Sequence, residues 1–214
     1  EGEGGEGEGE GTAAPGFGVI SGDCGVLADQ LLSPDPSTFE NHIDFGLEGY
    51  VDADVDQLTD GGQTMEAVGN AGGNSLQSEV FAFEVLARCE GATLLKTETE
   101  IVYDTQGKIT DILVEIDGQK GGVSVTRAVH FPFDQPYTLD EATTLMTRKL
   151  SDIHVSTADV SAGDRWVKQI LSIYAYDQAS ADVAEQAIAG IDAQTRGDTI
   201  VLITVSDGDD AFIY

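Results

Sequence analysis

Three short runs rich in Val, Ile and Thr follow one another between residues 97 and 131, and they limit the possible folds more than any other stretch. They are Thr97-Glu-Thr-Glu-Ile-Val-Tyr103, Ile109-Thr-Asp-Ile-Leu-Val-Glu-Ile-Asp117 and Gly122-Val-Ser-Val-Thr-Arg-Ala-Val129. Such residues suit a pleated, half-buried surface. The intervening Asp104-Thr-Gln-Gly107 and Asp117-Gly-Gln-Lys-Gly-Gly122 supply the Gly and Asp that accept the positive φ of tight turns. The pattern predicts consecutive hairpins, with the first strand reaching back to Ala92-Thr-Leu-Leu95.

Helical spacing brackets this meander. Ser75 can cap a helix running to about Cys89, on which Leu76, Ala82, Phe83, Leu86 and Ala87 share one arc. Glu79 falls near the middle of that arc, where a carboxylate requires a physical reason. Glu84 and Arg88 pair at i,i+4 on the opposite side. Beyond the meander, Thr138 and Glu141 form a capping box, followed by a buried stripe of Leu139, Ala142, Leu145, Met146, Leu150 and Ile153 with Lys149 inside its edge. A strand over Gln169–Ala175 and a helix over Ser180–Ile191 come next. Thr199-Ile-Val-Leu-Ile-Thr-Val205 is apolar on both faces, as in a central strand covered by helices. The order α-β-β-β-α-β-α-β predicts a mixed sheet with helices on both faces, in a single α/β domain over residues 75–214. Residues 17–74, dense in turn formers, read as an irregular arm with one or two short helices, packed on that domain. Residues 1–16, an acidic Glu/Gly tail, have nothing to bury and are expected to be disordered.

This order resembles the restriction-endonuclease-like superfamily, the PD-(D/E)xK nucleases, whose core is α-β-β-β-α-β. The resemblance covers about residues 75 to 176 and rests on element order more than on sharp motifs; the last α-β unit is additional. In that family an Asp on the second strand, an acidic-x-Lys on the third and often a helix Glu hold a divalent metal that activates water, while the Lys orients the nucleophile. Asp111 stands where the family's Asp would be, and Glu79 fits the helix position. The acidic-x-Lys strand instead reads Ser124-Val-Thr126. Two hydroxyls supply neither an anionic ligand nor a cationic donor. Lys149 is the residue that can stand in for the lysine, and Glu115 shares a strand face with Asp111. The resemblance therefore implies a degenerate, non-catalytic protein with a binding role and no cofactor. The alternative it leaves is a metal-dependent phosphodiesterase, with Mg²⁺ or Mn²⁺ held by Glu79, Asp111 and Glu115 and with Lys149 as its catalytic lysine.

Each position also has a plain structural role. Glu79 can be a buried carboxylate satisfied by a backbone amide or by Lys149. Asp111 can bracket a strand, and Ser124 and Thr126 are ordinary strand residues. Arg127 can pair with a surface acid, and His130, ahead of Phe131-Pro132, can be structural.

Charge narrows the partners. The net charge is −29, and without the five glutamates of the tail the remainder still carries about −24. Ten scattered Lys and Arg cannot displace the counterions of a phosphate backbone, so nucleic acid is disfavoured on the bulk surface, while cations and a basic protein partner are favoured. Cys24 and Cys89 are either two small buried hydrophobes or, in an exported protein, a bridge closing a loop of about 65 residues that stabilises by roughly 4 kcal/mol. The disulfide is the expectation adopted, together with an extracellular or surface-exposed location. The Glu/Gly tail suits a spacer behind a removed signal or a lipid-anchored cysteine, and the start at Glu1 predicts a processed form. No apolar run approaches the 18 or so residues of a membrane-spanning helix.

Other signals fail. Asp52-Ala-Asp-Val-Asp56 opens like a calcium loop, but the sixth position is Gln57 and the twelfth Gln63, which rejects an EF-hand. Irregular calcium binding there or at Asp207-Gly-Asp-Asp210 is the residual option. Gly69-Asn-Ala-Gly-Gly-Asn-Ser75 leads into a helix N-terminus but lacks the Lys of a phosphate loop. His42, His130 and His154 have no zinc-ligand spacing, and no serine-hydrolase elbow is present.

Overall fold

The computed structural model describes residues 12–14 and 18–214. In chain order the elements are β1 (Thr12–Ala14), β2 (Gly18–Gly22), α1 (Leu27–Leu32), β3 (Ser37–Asp44), a 3-10 turn at Asp52–Gln57, α2 (Asp60–Val68), α3 (Leu76–Glu90), β4 (Thr93–Thr97), β5 (Ile112–Ile116) and β6 (Gln119–Ala128). There follow α4 (Leu139–Asp159), β7 (Lys168–Ala175), α5 (Gln178–Gly190), α6 (Ala193–Arg196), β8 (Ile200–Asp207) and a 3-10 turn at Ala211–Ile213. The strands form one mixed sheet in the order β1-β2-β3-β8-β7-β6-β5-β4. β3, β8, β7 and β6 are parallel neighbours, and antiparallel strands extend the sheet on either side.

Every residue of β7 and all but the last of β8 are buried, as continuous apolar runs require when both faces are covered. Because side chains alternate along a strand, Ile170, Tyr174, Ile200 and Leu202 face α1, α2 and α3, whereas Leu171, Ile173, Val201 and Ile203 face α4 and α5. The α/β order, the helices on both faces and the capping box of Thr138 and Glu141 are all present. In the stripe of α4, Ala142, Met146, Leu150 and Ile153 are buried, but Leu139 is exposed and Leu145 only half-buried.

The meander departs from expectation at its first strand. β4 stops at Thr97, because the Glu100 carboxylate accepts from the Thr97 amide (3.0 Å) and hydroxyl (3.2 Å) and turns the chain. Ile101 then packs with Leu113, Val160 and Trp166, and Tyr103 bridges Val160, so the run to Tyr103 leaves the sheet for the end of α4. Between β5 and β6 the turn is only Asp117-Gly118, both at positive φ (48° and 74°), as a two-residue hairpin demands. Gln119 to Gly122 belong to β6. A Cβ on Gly122 would come within 2.8 Å of the Trp166 ring, which lies directly on this strand.

Of the stretch 17–74, residue 17 lies outside the described residues, and residues 18–74 are not an irregular arm. β3 runs parallel to β8 over its whole length, from Ser37↔Ile200 to Asp44↔Asp207, and β2 pairs with β3. The supposed boundary at residue 75 marks no break, since Ile20, Leu27, Ile43 and Met65 share a core with Phe81, Val123 and Ile170. Asp60-Gly-Gly62 is not a turn but the start of α2, and its glycines allow α3 to come close. A Cβ on Gly61 would meet the Phe83 ring at 2.3 Å, and one on Gly62 would meet Glu84 Oε1 at 2.2 Å. Glu84 is correspondingly not on an open side. It is fully buried under the N-terminus of α2, accepting from the Thr59 amide (2.9 Å), the Thr59 hydroxyl (2.5 Å) and Arg88 Nε (2.9 Å). Of the acidic tail, residues 1–11 and 15–16 lie outside the described residues, while Thr12–Ala14 pairs with β2.

Cys24 and Cys89 form the expected disulfide. Beside it the Glu90 carboxylate accepts from the amides of Gly25 (2.9 Å) and Leu27 (2.8 Å), which fastens α1 to the end of α3. Among the described residues no helix is long and apolar enough to cross a membrane.

Two stability measurements check this packing. Replacing both cysteines by serine should lower the unfolding free energy in urea by about 4 kcal/mol; a loss under about 1 kcal/mol would contradict the bridge's structural role. Gly62→Ala should cost about 1–3 kcal/mol through the clash with Glu84, and an unchanged midpoint would mean that α2 and α3 are not in such close contact.

Candidate functional site

Charged side chains converge where β5 begins. β5 pairs with β6 only as far as Ile112↔Val123, so β6 continues to Ala128 without a neighbour on that side. The Asp111 amide donates to Val123 O (3.0 Å), and its carboxylate then takes the place of the next ladder partner, accepting from the Val125 amide at 2.6 Å. Val125 O, facing the same way, accepts from Lys149 Nζ at 2.6 Å. One residue's main-chain edge is thus held by a carboxylate and an ammonium from two different elements.

A polar knot behind Asp111 fixes its position. The Thr110 amide donates to the Tyr103 hydroxyl (2.7 Å), and Gln169 Nε2 donates to Thr110 Oγ1 (3.0 Å) and Ser156 Oγ (2.8 Å). These bonds tie the connection after β4 to α4 and β7. Burial pushes the Asp111 carboxyl up; the Lys149 ammonium and the Val125 amide pull against that, and Glu98 adds repulsion.

Glu79 enters from the first turn of α3 and is only 5% exposed. Burial pushes its pKa up to about 7; hydrogen bonding to Ser75 and Asn70 opposes the rise, and the charges of Asp111 and Glu98 add to it. Its partner is neither a backbone amide nor Lys149: Asn70 Nδ2 donates to Glu79 Oε1 at 3.4 Å. Ser75 does not cap α3 through its side chain either, since its hydroxyl accepts from Asn70 at 3.0 Å. Glu98, which the sequence reading passed over, accepts from the Ala71 amide and joins the same electrostatic group.

The remaining predicted residues lie elsewhere. Glu115 is exposed and sits opposite Lys120, four residues along β5 from Asp111, or about 13 Å at the strand rise. Sharing a strand face did not bring the two together. Ser124 and Thr126 lie on the α4 side of β6, whereas Val123 and Val125 face α3, the helix that carries Glu79. Among the described residues no three Asp, Glu, His or Cys side chains are placed to hold a metal ion, which leaves the set Glu79, Asp111 and Glu115 unassembled and also covers the two calcium options. His130 Nδ1 meets Glu141 Oε1 at 2.6 Å and links the end of β6 to the capping box of α4.

Past Val125 the edge of β6 opens into a cleft of about 590 Å³. Asn74 and Tyr214 wall it on the α3 side, Thr126 and Leu145 on the α4 side, and Phe131 and Phe133 stand at its end. Arg127 does not pair with a surface acid. Its Nη1 donates to the carbonyls of Asn74 (3.4 Å), Ile213 (3.1 Å) and Tyr214 (3.0 Å), so it braces the cleft wall. The one sequence signal for this cleft was the exposed pair Phe131 and Phe133 after a strand end.

The Glu79 carboxyl gives a pH-dependent outcome. The folded state keeps its proton up to about pH 7, the unfolded chain only to about 4.5, so this group's contribution to stability falls as pH climbs through that window. Asp111, shifted the same way, acts with it. Glu79→Gln should therefore be more stable than the wild type at pH 8, by on the order of 2 kcal/mol, and the difference should shrink toward pH 4.5. A difference that does not vary with pH would show that Glu79 is not held in this environment.

No family model matches the chain. The AAC-rich mRNA clone AAC4 protein of Dictyostelium discoideum is 39% identical over 152 residues, which cover 68% of this chain and 22% of that protein. The chain thus spans about a fifth of the length of the curated relative it matches. Among solved structures, Pyrococcus furiosus SfsA in complex with Ca²⁺ is similar at a TM-score of 0.28 and 12% identity, covering 63% of this chain and 57% of that one, too distant a likeness to carry an argument.

Proposed function

We propose that the chain is a non-catalytic binding protein on a nuclease-like scaffold, with the order α3-β4-β5-β6-α4-β7 supplying that scaffold. The observation that carries this reading is the use of Asp111 and Lys149. The carboxylate that a nuclease would offer to a metal and the ammonium that would steer its nucleophile are each bonded at 2.6 Å to the same Val125 main-chain edge. Metal-assisted hydrolysis needs those groups free for the ion and the attacking water. A net charge of −29 also repels phosphodiesters. That charge and the Cys24–Cys89 bridge support an extracellular or surface-exposed setting, where disulfides persist and acidic surfaces stay soluble.

A second reading, a metal-dependent phosphodiesterase with Mg²⁺ or Mn²⁺ near Glu79 and Asp111 and with Lys149 as its lysine, draws on one observation: the charges of Asp111 and Glu98 lie close enough to Glu79 to raise its proton affinity. Two measurements separate the readings. Plasmid and oligonucleotide substrates incubated with the chain and either metal should stay intact, and millimolar Mg²⁺ or Mn²⁺ should leave Tm unchanged. Metal-dependent cleavage that vanishes in Asp111→Ala would overturn the non-catalytic reading.

A further inference from the structure

We propose that the open edge of β6 takes an extended, positively charged peptide with an apolar anchor as an added strand. This rests on the binding role proposed above and gives it a partner class and a place.

The main-chain pattern defines the opening. Even-numbered residues of β6 bond to β7, as in the Tyr176 amide donating to Ala128 O at 3.3 Å. Odd-numbered residues face the β5 side, as in Val123 O accepting from the Asp111 amide. Asp111 and Lys149 cover Val125. The N–H and C=O of Arg127 come next, about 6.6 Å further on, and no group among the described residues meets them.

The 590 Å³ cleft lies along this stretch, with Thr126 and Leu145 from one face of the sheet and Asn74 and Tyr214 from the other. A groove walled on both faces, with unpaired main-chain donors and acceptors on its floor, has the shape of a strand yet to be added. A small anionic ligand fits less well, because the guanidinium in the cleft is already held by three carbonyls.

Charge and apolar surface select the peptide. Asp140 and Glu141 share the hollow that adjoins the groove at Leu145. Arg148 is the exposed cation on that rim. The overall charge of −29 favours a basic partner. Phe131 is 79% exposed and Phe133 45%, an apolar end to the groove that suits an aromatic anchor.

The test uses the 214-residue chain and fluorescein-labelled Lys-Val-Lys-Val-Lys-Phe, read by anisotropy, with Arg127 amide exchange followed by NMR. The peptide should bind and should slow Arg127 exchange. Its Glu-for-Lys counterpart, and a version methylated on alternate backbone nitrogens, should each bind about tenfold weaker or worse. Equal binding by the methylated peptide, an unprotected Arg127 amide, or no binding at all would each overturn the proposal. So would protection of Arg127 that rises with protein concentration alone, which would put a second copy on the edge. Leu145→Lys should weaken binding about tenfold, and the methylated peptide keeps the test independent of that variant's folding. Failure here leaves the non-catalytic reading standing; that reading falls only to metal-dependent cleavage.

Discussion

β7 and β8 are apolar on both faces, so each must be covered twice, and this requirement arranges the remainder of the molecule. α4 and α5 close one face; α1, α2 and α3 close the other. The four parallel strands β3, β8, β7 and β6 then point their carboxyl ends in one direction, and the groove along β6 opens at that end. Ligands of open α/β sheets characteristically sit at such ends, because the connecting loops there diverge around a crevice.

Buried polar side chains, not apolar contact alone, specify how the outer parts dock on this centre. Lys168 is 3% exposed, and its ammonium donates to the carbonyls of Gln30 (3.0 Å), Ser33 (2.9 Å) and Asp35 (2.7 Å), gathering the chain between α1 and β3. Burial pulls its pKa down. Arg196 does similar work at the start of β8, donating to Thr199 O (2.8 Å) and Ser37 O (2.7 Å), which sets β3 against β8 in register. Glu84 closes α2 onto α3. A buried charge is tolerated only with full hydrogen bonding, so each of these groups ties its element to one arrangement.

The same economy of partners explains the region around Asp111. β5 starts only at Ile112, which would leave the edge of Val125 bare, and a carboxylate and an ammonium meet it. The acidic neighbours Glu79 and Glu98 are then held close to one another by packing and by the loop from Asn70 to Asn74, at the expense of a raised proton affinity at Glu79. What resembles the remains of a metal site in element order is, in its hydrogen bonds, a strand-edge clamp.

Local pattern alone determined most elements from Leu76 onward: α3, α4 and α5 by apolar periodicity, with the capping box at Thr138, and β7 and β8 by their apolar runs. The family resemblance, and not local pattern, implied that Glu79 and Asp111 are neighbours. Tertiary structure decided the rest. β3 is not legible in the sequence because Asn41 interrupts the apolar face of Phe39 and Ile43, and it is a strand only because β8 offers a parallel edge. Thr97 to Tyr103 has strand-like residues but finds its apolar partners over the end of α4. Glu115, on the same face as Asp111, is removed by strand rise, and the groove exists only because β5 is shorter than β6. Propensity acts over a few residues, whereas which edge stays unpaired depends on contacts between segments far apart in the chain.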